Sequence, residues 1–190
     1  MTTKTSVLSQ SAGALARSQG LAQREILATK ILAETAGAVA LGGALNLLKI
    51  YSLPQGGSVT LGAMVPLLLL ALRRGPWVGI LAGEIFGGVV LIEEPISVHP
   101  VQVLLDYPMA FGALGLAGLL RQRPLVGVAV GIASRFVFHF ISGIFFFTLF
   151  NLDGVLYSAV YNGSYLLPEL AISAIIVQLL VRRRVLELYL

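Results

Sequence analysis

Six apolar runs divide the chain, separated by short polar segments rich in proline, glycine and arginine. They predict helices over about 26–50, 59–72, 77–92, 101–120, 125–147 and 156–181. Most approach the roughly 17–25 residues that cross a bilayer as a helix. None alternates apolar and polar residues as the strands of a membrane barrel would. The second run is the shortest, and Pro66 is expected to kink it. Segment 51–58, with Pro54 and Gly56-Gly57, reads as a loop, and Asn151 to Gly154 as a turn. Residues 1–24 are polar, lack the apolar core of a signal peptide and are expected to form a mobile cytoplasmic tail. Residues 25–184 then form the membrane domain and 185–190 a short cytoplasmic end. The fold class expected is an all-α membrane protein with six transmembrane helices.

Composition agrees. Of 190 residues 57% are hydrophobic and 12% charged, and the mean hydropathy is +0.89. A soluble domain of this size exposes too much surface to be so apolar. There is no cysteine, which excludes disulfides, thiolate catalysis and thiolate metal sites. The net charge of +4 is not spread evenly. With six spans, Lys4, Arg17, Arg24, Lys30, Arg73, Arg74, Arg121, Arg123, Arg182, Arg183 and Arg184 fall on one side. That side is the cytoplasm by the positive-inside rule, and both termini lie there. Lys49, Glu93, Glu94 and Asp153 fall outside, and Arg135 lies within the membrane. The basic excess therefore argues topology, not nucleic-acid binding.

The polar residues inside the spans are the candidates for function. Asp106 and Tyr107 sit about one and a half turns into the fourth helix from its outer end. A carboxylate at bilayer depth is costly unless it faces a wet cavity or a partner. Tyr157 and Asn162 stand near the outer start of the sixth helix, and Phe145, Phe146 and Phe147 near the outer end of the fifth. Together they describe a site for a small, flat, polar and cationic molecule. An interfacial aromatic belt would explain the rings, but not Asp106 and Asn162 together. Glu84 and Arg135 fall at a similar depth, and a structural ion pair between them is expected. His139, one turn beyond Arg135, reads as a satisfied interior group rather than a catalytic one. Glu169 is expected to floor the cavity or pair with another helix. Small residues Ala33, Ala36, Ala40 and Gly43 line the first helix at a spacing that admits close helix approach. Packing within the bundle and docking to a second protein both fit. No GxxxxGK loop, HExxH pair or GxSxG elbow is present, so neither ATP hydrolysis nor a metal or other cofactor is expected. An outward pocket without an engine of its own needs an external one.

Several segments carry a likeness to a known family. They are Val65-Pro66-Leu67 through Ala71-Leu72-Arg73-Arg74-Gly75, Leu105-Asp106-Tyr107, and Leu116-Ala117-Gly118-Leu119-Leu120-Arg121-Gln122. Phe138-His139-Phe140-Ile141-Ser142-Gly143 and Tyr157-Ser158-Ala159-Val160-Tyr161-Asn162-Gly163 follow. The chain resembles the thiamin-binding S-components of energy-coupling-factor (ECF) vitamin transporters. The resemblance implies a six-helix bundle in a prokaryotic plasma membrane that captures the vitamin from outside. It further implies association with a transmembrane coupling protein driven by two ATPases. On this likeness Ala36 and Ala40 match the family's docking alanines. Asp106 and Tyr107 match its acid–tyrosine pair, with Asp for the usual Glu. Tyr157 and Asn162 match its sixth-helix pair, and Phe147 and Phe86 stand at two of its tryptophans. Another tryptophan falls near Gly56-Gly57, where this chain has no ring. Glu93 and Glu94 occupy the loop where the family places a histidine and a tyrosine, and Glu94 joins the expected ligand set. The ligand is left between thiamin, a precursor or another vitamin. An integral-membrane enzyme using Asp106, Glu93 or Glu94 is the rival reading, and it lacks a second reactive group at that depth.

Overall fold

The computed structural model describes residues 2–96, 99–146 and 152–183. Residues 1–34 and 35–190 form separate compact units. In the first, helix α1 (Thr2–Asn46) begins at Thr2, where the sequence predicted a mobile tail. Its Ala, Leu, Gln and Arg residues favour helix, and no proline interrupts it.

The second unit holds the rest of α1 and five more helices: α2 (Val65–Arg74), α3 (Pro76–Glu93), α4 (Pro100–Leu120), α5 (Pro124–Phe146) and α6 (Leu152–Arg182). All but α2 belong to segments long and apolar enough to cross a membrane. α2 has 10 residues, about 15 Å of helix, and cannot cross alone. The predicted second span is split. Its first part, with the preceding loop, forms an antiparallel hairpin of β1 (Lys49–Ser52) and β2 (Ser58–Thr60), registered Tyr51 to Val59 and Ser52 to Ser58. Tyr51, Val59 and Thr60 favour strand. The turn closes through Gly56 at φ +89°, a conformation that glycine adopts freely. Pro66 does not kink the helix, because it stands in the first turn of α2, where its missing N–H is not needed.

The helices that carry the site are positioned by glycine. Gly79, Gly83 and Gly87 form a stripe on α3, and α4 lies on it backbone to backbone. A Cβ at Gly83 would stand 2.2 Å from the Phe111 carbonyl oxygen, and one at Gly87 2.5 Å from that of Tyr107. Small residues spaced by four permit this approach in lipid, where apolar burial drives little association. Helix α4 is not uniform. It widens to π geometry over Leu105–Met109 and tightens to 3-10 over Ala113–Leu120. Pro108 lies inside the wide turn; it lacks an N–H and crowds the preceding turn, which favours the opening there. The widened turn is the one that bears Asp106 and Tyr107.

Candidate functional site

The ends of α1 and α3, the hairpin turn, the start of α4, the second half of α5 and the start of α6 enclose a cavity of about 90 Å³. That space holds several water molecules. Its lining includes Asn46, Glu94, Asp106, Tyr107, Tyr157 and Asn162. The basic turns at Arg73, Arg74, Arg121 and Arg123 stand at the opposite end of these helices. There Arg121 donates to the Leu72 carbonyl at 2.8 Å.

At the centre, both oxygens of Asp106 are engaged by α5. One lies 3.0 Å from His139 Nδ1, and the other accepts from Ser142 Oγ at 2.9 Å. His139 Nε2 is 3.1 Å from Arg135 Nε. A guanidinium only donates, so Nε2 is the acceptor and the ring proton sits on Nδ1, aimed at Asp106. Arg135 is held in turn by Met64 Sδ at 2.8 Å and by the Phe111 ring, 4.0 Å from its guanidinium carbon. The chain Arg135–His139–Asp106–Ser142 therefore forms one polar row along the wall of the cavity.

A tyrosine ladder on α6 faces that row. Tyr157 stacks on Tyr161 at 5.9 Å, and Tyr161 meets Tyr165 edge to face at 5.9 Å. Residues spaced by four share a helix face. Tyr161 Oη accepts from Gly57 N at 3.0 Å, and Tyr157 Oη donates to Gln55 Oε1 at 2.5 Å. The hairpin turn is thus tied over the cavity mouth. A Cβ at Gly57 would lie 2.6 Å from the Tyr165 ring, so the bare backbone there is required by Tyr165. Asn162 is fully used within the wall. Its amide nitrogen donates to Ser158 O at 2.9 Å and reaches His139 O at 3.3 Å, and its oxygen accepts from Tyr165 Oη at 2.9 Å.

The acidic loop is also fixed. Tyr107 Oη donates to the Glu94 carbonyl at 2.5 Å and accepts from Ile96 N at 3.2 Å. The Glu94 carboxylate pairs with Lys49 and, at 3.3 Å, with Asn46 Nδ2. Among the described residues, Glu169 neither lines the cavity nor pairs with a basic group. Buried on α6, it accepts from Thr60 N and Thr60 Oγ1 at 2.5 and 2.7 Å and anchors β2.

Asp106, Tyr107, Tyr157, Asn162 and Glu94, expected from sequence, are therefore brought to one cavity. Phe86 is not. It is fully buried behind the wall, edge-on to Phe111 at 5.0 Å, and Phe111 takes the lining place. Phe147 lies outside the described residues, and Phe146 stacks on His99 at 5.2 Å. The expected ion pair of Glu84 with Arg135 is not made. Glu84 points outward from α3 while Arg135 turns inward to His139 and Phe111. Equal depth did not imply facing sides. Ala36 and Ala40 are exposed on α1. Sequence reasoning missed Arg135, His139, Tyr161, Tyr165 and Phe111 as lining. The Tyr157, Tyr161, Tyr165 repeat of four was the available signal.

Comparison with known proteins agrees with this architecture. Residues 32–188 match the family described as Thiamine transporter protein (Thia_YuaJ). The chain is 36% identical over 149 residues to the thiamine transporter ThiT of Bacillus subtilis, covering 68% of this chain and 77% of that one. It is 29% identical over 140 residues to ThiT of Lacticaseibacillus paracasei, covering 62% and 70%. A solved structure of ThiT from Listeria monocytogenes superposes with a TM-score of 0.72 at 22% identity, covering 82% of this chain and 94% of that one. The family is one of transporters, which removes the enzyme reading. A multi-pass helical bundle of a prokaryotic plasma membrane, this chain belongs to the thiamine transporter protein family.

Proposed function

We propose that the cavity binds thiamin and that the chain is the substrate-capture subunit of an ECF-type transporter. The observation that carries this reading is the polar row of Asp106, His139 and Ser142 facing the Tyr157–Tyr161–Tyr165 ladder. Thiamin joins a flat aminopyrimidine to a cationic thiazolium. Aromatic faces attract such a cation, and a desolvated carboxylate favours positive charge. The lining carries two carboxylates, Asp106 and Glu94, against one guanidinium, Arg135, which is already spent on His139, Met64 and Phe111. Asp106 and Tyr157 supply the ligand's charge and edge contacts, and Tyr107 and Asn162 hold the wall in shape. The stacking role expected of Phe86 passes to the tyrosines.

The basic helix ends favour an orientation with Arg73, Arg74, Arg121 and Arg123 in the cytoplasm. The cavity then opens outward. A space of several waters is smaller than the ligand, so the hairpin turn must part from Tyr157 and Tyr161 to admit it. Uptake needs a motor the chain lacks, which supports a coupling membrane protein and two ATPases as partners. Exposed Ala36 and Ala40 offer the coupling protein a close approach.

A ligand that binds only the folded state raises its melting temperature by mass action. Thermal unfolding of the purified protein with thiamin, its pyrimidine precursor and its thiazole precursor tests the assignment. Stabilisation by thiamin above either half supports it. Equal stabilisation by the pyrimidine alone would assign the site to a precursor.

A further inference from the structure

We infer that Asn46, at the end of α1, is a ligand-binding residue whose side-chain oxygen accepts a hydrogen bond from the hydroxyl of thiamin. The inference rests on the thiamin reading of the cavity and adds a specificity contact to it. Asn46 is 6% exposed and lines the cavity. Its place is set by the packing of α1 on α3. A Cβ at Gly42 would meet the Phe86 ring at 3.0 Å, and one at Gly43 would meet Val89 at 3.3 Å. One turn beyond Gly42, Asn46 reaches the end of α3. There its Nδ2 donates to Glu93 Oε2 at 2.8 Å and to Glu94 Oε1 at 3.3 Å.

The two carboxylates fix which way the amide faces. An ionised carboxylate only accepts, so the nitrogen must face Glu93 and Glu94, and Oδ1 must turn the other way. Among the described residues, no donor reaches Oδ1. The fully buried side-chain atoms left without a partner are Glu169 Oε2 and Ser173 Oγ. Asn46 Oδ1 is not one of them, so it borders open space, and that space is the cavity. An acceptor that is held, nearly buried and unpaired selects a ligand with a matching donor. A ligand without one leaves the acceptor unsatisfied.

Thiamin carries two hydrogen-bond donors at its opposite ends, the amine of the pyrimidine and the hydroxyl of the thiazolium side chain. The cavity offers acceptors for them on separate walls. Asp106 belongs to the wall of α4 and α5, tied to His139 and Ser142. Asn46 belongs to the wall of α1 and α3. The amine is polarised by its ring and gains most from a charged acceptor, the Asp106 carboxylate. The neutral hydroxyl is left for the neutral Oδ1. Glu94, paired with Lys49, serves here to aim the amide.

Titration calorimetry on the purified full chain tests this with three ligands: thiamin, an analogue with hydrogen in place of the hydroxyl, and one with hydrogen in place of the amine. Each is titrated into the wild type and into Asn46→Ala, with the melting temperature of both recorded. The wild type is expected to bind the analogue lacking the hydroxyl roughly three- to tenfold more weakly than thiamin. Asn46→Ala is expected to lose a similar factor for thiamin, and less than about twofold for the analogue lacking the hydroxyl. Equal affinity of the wild type for thiamin and for that analogue overturns the inference, whether or not the variant folds. Equal losses by Asn46→Ala on all three ligands reduce Asn46 to a brace for Glu93 and Glu94 and overturn it as well. A loss that vanishes only with the analogue lacking the amine assigns Asn46 to the amine and overturns the hydroxyl contact. Absence of thiamin binding by the wild type overturns the thiamin reading and this contact with it, and is distinct from each of the other results.

Discussion

Asp106 on α4 and His139 on α5 meet at 3.0 Å, and Arg135 behind the histidine determines which nitrogen carries the proton. The aspartate is thus held by donors on both oxygens before any ligand arrives. A carboxylate fixed in this way presents its remaining lone pairs in one direction, and little side-chain freedom is lost on binding.

Ser142→Ala removes one of the two donors to Asp106 while leaving its charge. Hydrogen bonds to charged groups are worth about 1.5–3 kcal/mol, but water in the cavity can replace part of this. A fall in thiamin affinity of roughly three- to tenfold is expected, with little change in melting temperature. Titration calorimetry and thermal unfolding of one preparation check both.

Gly83→Ala tests the α3–α4 contact. Its Cβ would lie 2.2 Å from the Phe111 carbonyl, so the helices must part and the turn bearing Asp106 must shift. Overpacking of this kind costs roughly 1–3 kcal/mol. A lowered melting temperature and weaker thiamin binding are expected. Gly88→Ala on the same helix is the control. Its Cβ would meet nothing within 4 Å, and no loss of stability is expected.

Glu169→Ala removes the acceptor for both Thr60 N and Thr60 Oγ1. Two buried donors are then left unpaired at roughly 1–3 kcal/mol each. The hairpin is expected to loosen. Faster hydrogen exchange at the Ser58, Val59 and Thr60 amides, with exchange at α3 unchanged, is the expected reading. Exchange at the hairpin equal to wild type would remove Glu169 as its anchor.

Ala36→Leu with Ala40→Leu enlarges two exposed positions on α1. Thiamin binding by the purified chain is expected to stay within about twofold. Thiamin uptake through the reconstituted coupling module is expected to fall by roughly tenfold or more. Uptake unchanged in the double variant would move the coupling interface off this stripe.

Length and apolarity made most of the helices legible in the sequence, because crossing a bilayer demands both. The bounds of α3, α4 and α5 fell within a residue or so of those read from the chain. The hairpin was not legible. Its strands are four and three residues long, and β2 lies beside the apolar run of α2. Asp106, Tyr157 and Asn162 were found because a polar group in an apolar run announces itself. Tyr161, Tyr165 and Phe111 are apolar enough to pass as packing. Glu84 and Arg135 show the limit most clearly. Depth follows from position along a helix, but which neighbour a side chain faces depends on helix rotation. That rotation is set by the glycine stripe on α3 and by the ties of Arg135 to Met64, at the start of α2, and to Phe111 on α4.

Titration calorimetry of thiamin into the purified wild-type chain and into Asp106→Ala tests the central claim most directly. One-to-one binding by the wild type, weakened at least roughly tenfold by the substitution, is the expected result, on the basis of about 1.5–3 kcal/mol for a charged contact. Wild-type binding left unchanged by loss of the Asp106 carboxylate, or no binding of thiamin at all, would contradict it.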